Sequence, residues 1–183
     1  MKVLIFLATL LPLGVSATPV RADTDLRLGD RPFAEVAQLP ENARYFPGAA
    51  REVVRELSRL LESLRRWYER QPQGRRTGPT FTFPASTPWT PAGAACQLPG
   101  REYPTQGRGW QHATWQELRY RPEAAHRYQY RFLSIGHGPE ASFSLQARGD
   151  LDCDREVSLY RLSGHARGGA LRVVLLRVRR PGH

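Results

Sequence analysis

Asp150, Asp152 and Asp154 form the sequence's nearest approach to a ligand-binding motif. They have the D-x-D-x-D spacing of a calcium loop, which puts three carboxylates on one side of a turn. The match ends there. Arg155 follows where an EF-hand needs glycine, and Arg161 holds the twelfth position, where the bidentate glutamate belongs. Two cations in those places point to a solvated turn, with a weak calcium site as the most it offers. The five histidines (His112, His126, His137, His165 and His183) form no H-E-x-x-H pair, and no G-x-S-x-G elbow presents a nucleophile. Lys2 is the only lysine, so Schiff-base and P-loop mechanisms lack their amine once an N-terminal segment is removed. Glu102, Glu117 and Glu123 show no spacing that marks a hydrolytic pair. The expectation is a protein with no enzymatic activity and no cofactor.

Cys96 and Cys153 are the whole cysteine complement, 57 positions apart, and an even count in an exported chain predicts one disulfide. Export is expected from the N-terminus. Met1-Lys2, an apolar run from Val3 to Ala17 and small residues ending at Ala22 make the three-part pattern of a secretory signal. The run is too short, and too interrupted by Pro12 and Gly14, to read as a spanning helix. The mature protein is therefore expected in the periplasm or the medium, without stable membrane insertion.

The charge balance is strongly basic, with 27 Lys+Arg against 17 Asp+Glu and a net charge of +10. Cleavage after residue 22 removes only Lys2 and Arg21, so nearly all of the excess is retained as arginine. Arg75, Arg76, Arg172, Arg177, Arg179 and Arg180 are the candidate anion-binding residues. Outside the cytoplasm their partners would be acidic polysaccharide, lipopolysaccharide or DNA. Nucleic acid is the least favoured, because these arginines interleave little with aromatic residues.

The elements that must position these groups follow from periodicity. A length of 183 residues suits one domain after the signal at 1–22 and an extended leader at 23–47. From Ala50 to Tyr68 apolar residues recur at i, i+3, i+4 and i+7, including Val53, Leu57, Leu60, Leu61 and Leu64, with arginines and glutamates opposite. This predicts a long amphipathic helix that Pro72 and Gly74 stop. Residues 71–79 read as a basic linker, and Thr80–Pro104 as a long loop anchored by Trp89 and Cys96. Trp110–Tyr120 reads as a short turn or strand. Alternation predicts strands at 126–135, 141–147, 156–162 and 171–178, with a turn over Gly164–Gly169. The fold class is α+β: one helix covering a four-stranded antiparallel meander over residues 48–183.

The helix-then-sheet order, with Thr87-Pro88-Trp89-Thr90-Pro91-Ala92-Gly93 leading to Cys96, resembles the globular head of type IV pilins of the myxobacterial kind. Trp110 to Leu118, Tyr128 to Phe132, Ala147 to Asp154 and Ser158 to Gly164 follow in the same order as in that family, so the resemblance spans about 48–164. The prepilin motif and its very hydrophobic helix have no counterpart, since residues 49–70 are amphipathic and charged. The resemblance implies an exported, non-enzymatic pilin-like head. Such a head would be an accessory or adhesive component of a pilus or secretion machine, with other proteins of that machine as partners. The alternative is a stand-alone exported module that binds an anionic ligand through its arginine surface.

Overall fold

The computed structural model describes residues 24–32 and 50–179. The expected signal at 1–22, residues 33–47 of the leader and Arg180 lie outside the described residues.

Strand β1 (Thr24–Pro32) precedes helix α1 (Ala50–Glu69), the short helix α2 (Gln73–Arg76) and helix α3 (Ala113–Leu118). Strands β2 (Gln129–Ile135), β3 (Ser142–Gly149), β4 (Ser158–Arg167) and β5 (Ala170–Arg179) follow. The sheet order is β1-β5-β4-β3-β2, antiparallel at every step. The meander β2–β5 is as expected, and β1 adds a fifth strand that the four-strand expectation lacked. Within the segment read as leader, Leu26 and Leu28 alternate with polar residues, but Gly29 and Pro32 mask the strand signal. Pro32 ends an edge strand, the kind of sheet position that tolerates proline.

Along α1, Val53, Leu57, Leu60, Leu61, Leu64 and Tyr68 are at most 2% exposed. They pack with one face of the sheet: Tyr130 and Phe132 from β2, Phe143, Leu145 and Ala147 from β3, and Tyr160 and Leu162 from β4. At about 25 cal/mol per Å², burying side chains of this size contributes roughly 1.5–3 kcal/mol each and dominates the fold's stability. The Glu52 carboxylate fixes the helix's first turns, accepting from the Arg127 backbone N–H at 2.9 Å and from its guanidinium at 3.0 and 3.1 Å. No helix among the described residues is long and apolar enough to cross a membrane.

The long loop is anchored differently from the expectation. Phe81 and Phe83 are its main core residues, packed against Trp67 and Tyr68, with Phe83 also 5.3 Å from Phe143. Trp89 is only half-buried. Residues 87–90 run beside β2 as a strap: Thr90 exchanges backbone hydrogen bonds with Tyr130 at 2.7 and 2.8 Å, and Thr87 N–H donates to Phe132. The predicted Cys96–Cys153 disulfide is present, with the two Cα atoms 5.8 Å apart.

Two local expectations change. The segment from Arg108 to Leu118 is a 3₁₀ turn followed by α3, because Thr114, Trp115 and Leu118 bury at helical spacing. Strand β4 continues through Gly164, and the reversal is confined to Gly168–Gly169 (φ +60° and +77°), the two-residue hairpin that glycine permits. Gly164 is required inside the strand for contact reasons. A Cβ there would lie 2.6 Å from a Phe143 ring carbon and 2.2 Å from the Arg172 carbonyl oxygen.

Candidate functional site

The segment between Tyr103 and Glu123 covers the end of α1 and builds one wall of a groove. Trp110 and Trp115 are buried beneath it, 5.5 Å apart, and the Trp115 indole N–H donates to Thr90 Oγ1 at 3.1 Å. Helix α3 opens on His112, whose Nδ1 accepts the Thr114 N–H, and closes on Arg119 in the left-handed region (φ 52°). A non-glycine residue held there is uncommon and costs about 1 kcal/mol or more. That conformation redirects the chain so that Arg119 is exposed while Tyr120 turns inward. The Tyr120 hydroxyl is held by Glu56 of α1, 3.4 Å from its carboxylate, and burial followed by that neighbouring charge raises the phenol pKa well above its usual value.

Two adjoining clefts result. One, of about 840 Å³, is bordered by Arg59, Arg108, Arg119 and Arg121. The other, of about 470 Å³, is bordered by Arg70, Arg75 and the same Arg119. Arg119 and Gln116 line both clefts, so the two lie side by side and together border a grooved surface with six arginines and two carboxylates, Glu117 and Glu123. Glu123 is engaged by Arg59 at 2.6 Å. Arg108, Arg119 and Arg121 have no carboxylate within ion-pair distance among the described residues. Exposed amides of Gln106, Gln111 and Gln116 interleave with them. The polar side chains that line the two clefts among the described residues are arginines, glutamine amides, Thr105, Tyr120 and the two glutamates. Uncompensated charge of one sign along a walled cleft focuses potential on an anion.

The sequence-predicted arginines separate. Arg75 joins the groove. Arg76 lies over the Tyr68 ring, donates to the Gly169 carbonyl at 3.2 Å and shares a 250 Å³ pocket with Arg172. Arg177 and Arg179 occupy β5 positions opposite Arg161 and Leu159. Sequence reading missed Arg59, Arg70, Arg108, Arg119 and Arg121, which come from distant parts of the chain and form no run. For Arg108, Arg119 and Arg121 the only local signal is their nearness in sequence to Trp110, Trp115 and Tyr120.

The three aspartates do converge, with one oxygen of each within 4.8 Å of the others. Their hydrogen bonds serve the loop itself. Asp150 accepts from the Arg155 N–H at 3.0 Å, while Asp152 and Asp154 each accept from the N–H two residues on, at 3.4 and 2.7 Å, the Asx-turn pattern of a tight reversal. Cys153 and Arg155 both adopt positive φ in this loop. The disulfide fastens it to the 95–97 turn.

No family model, curated protein or solved structure matches this chain significantly.

Proposed function

We propose that the chain is an exported, non-enzymatic binding protein that holds an extended anionic polymer, foremost an acidic polysaccharide, in the groove crossed by Arg119. The observation that carries this reading is the adjacency of the two clefts through Arg119 and Gln116, with three arginines free of carboxylate partners among the described residues. A single exposed ion pair contributes little, but a polymer engages several guanidiniums at once. The interleaved glutamine amides both donate and accept, which suits the hydroxyl groups of sugars. A DNA backbone has no hydroxyls, and the groove's tryptophans are too buried to stack bases.

The test is binding of polygalacturonate, with duplex DNA and lipopolysaccharide as comparison ligands, across a salt series. Replacing Arg108, Arg119 and Arg121 together by glutamine should weaken polygalacturonate binding at least about tenfold and flatten the log–log salt slope by about 2–3. Unchanged affinity in this variant would sink the proposal, and tighter binding to DNA would move it to nucleic acid.

A second reading, an accessory or adhesive pilin-like component of a surface machine, draws support from the antiparallel meander and the disulfide that closes its long loop. Cell fractionation and shearing test it. A stoichiometric subunit in sheared fibres would make the protein a structural pilin instead.

A further inference from the structure

The sheet face turned away from α1 carries a second cluster of arginines. Arg131 (β2), Gln146 (β3) and Arg161 (β4) stand side by side in the ladder, and Gln129 and Arg148 form the neighbouring rung. Strands lie about 4.8 Å apart, so side chains as long as arginine reach one another across Gln146. The guanidiniums are held by neutral groups. Arg131 donates to the Gln146 amide oxygen at 2.7 Å, and Arg148 donates to Gln129 at 2.7 Å. Gln129 is itself fixed by the Pro91 and Gly93 carbonyls at 2.6 and 2.8 Å. Trp89, presented by the strap, stacks with both guanidiniums at 4.5 and 4.4 Å.

Ordinary surface arginines extend into water or meet carboxylates. These do neither. Arg131, Arg148 and Arg161 are half-buried, and none has a carboxylate within ion-pair distance among the described residues. The Nε–H groups of Arg131 and Arg161 are buried and find no acceptor among the described residues. Burial first, then the charges of Arg148 and Arg161, lower the pKa of Arg131. A fold that gathers three like charges, desolvates them and fixes two with glutamine amides is preorganised for an anion.

We propose that this face binds a tetrahedral oxyanion, a sulfate or phosphate group, over Gln146 between Arg131 and Arg161, with Arg148 as the third cation. A lone carboxylate offers two oxygens and one charge, which a single guanidinium satisfies. Three guanidiniums from three strands match an ion of higher charge with acceptors in several directions. The site stands apart from the groove and does not rest on its ligand.

The test is thermal unfolding of the full mature chain in inorganic sulfate, phosphate or chloride at matched ionic strength, followed by the same measurement with dextran sulfate and uncharged dextran. Sulfate and phosphate should raise the Tm saturably and chloride should not. Arg161→Gln should weaken the sulfate response at least about tenfold while leaving the Tm in chloride unchanged or higher, because it removes like-charge repulsion. Arg131→Gln with Arg161→Gln should abolish the response, whereas the groove variant should retain it. A response to the inorganic ions identifies a free ion as ligand, and a response to dextran sulfate alone identifies an ester on a polymer. Equal stabilisation by chloride, no response to any anion, or a sulfate response that survives Arg161→Gln overturns the proposal.

Discussion

His126 shows what burial does to a single titrating group. Its ring is 2% exposed, packed among Tyr103, Trp110 and Tyr130, and its Nδ1 lies 2.8 Å from the Tyr128 carbonyl oxygen. That contact fixes the neutral tautomer with the proton on Nδ1, and burial lowers the pKa below the ordinary histidine value. The sign follows from linkage. Between the lowered folded pKa and the unfolded value near 6.5, the unfolded chain binds more protons, so stability falls as pH drops through that window. His126→Asn keeps a donor for Tyr128 without a titrating ring. It should cost about 1–2 kcal/mol at neutral pH and flatten the stability profile as pH falls below about 6.5, measured by urea unfolding. No local pattern distinguishes His126 from the other four histidines. Its burial comes from Trp110 and Tyr103, which approach it only in the fold.

At the scale of elements, hydrophobic pattern was legible wherever an element buries one face. The stripe from Val53 to Tyr68 and the alternation of Tyr128, Tyr130 and Phe132 could be read directly, and all of these residues are buried. Elements whose residues bury through distant partners could not be read. Phe81 and Phe83 sit in a stretch of Pro, Gly and Thr that looks like loop, yet they meet Trp67 and Tyr68 in the core. Gly164 is the converse case, a glycine that looks like a turn and is required inside a strand. Gly164→Ala must push the Phe143 ring and the Arg172 backbone apart, at about 1–3 kcal/mol or more. For a chain of this length that is a fall of several degrees in Tm, readable by calorimetry. An unchanged Tm would mean that the bulge between Ser163 and Gly164 relaxes freely.

For the whole molecule, charge was the legible quantity and its placement was not. The arginine excess is plain from composition, but the groove draws on α1, the segment after it and the 105–123 wall, and the cluster at Trp89 draws on three strands and a strap. Only sheet register and the docking of α3 bring such residues together, and no local pattern encodes either. The two clusters should be separable in solution. The groove variant should lose polygalacturonate and keep sulfate, and the Arg131–Arg161 variant should do the reverse, since sites that share no partners act additively.

The Cys96–Cys153 bond also decides how the molecule responds to pulling. Helix α3, β2, β3 and the 105–123 wall of the groove all lie between the two cysteines. A load applied at the chain ends passes through the sulfur bridge and bypasses that whole stretch. Single-molecule stretching of the oxidised protein should therefore give a contour length about 200 Å shorter than that of the reduced protein, at roughly 3.5 Å per residue over the 57-residue separation. The arginine-bearing wall would stay unextended under tension, so a ligand held there could remain bound while the rest of the chain yields.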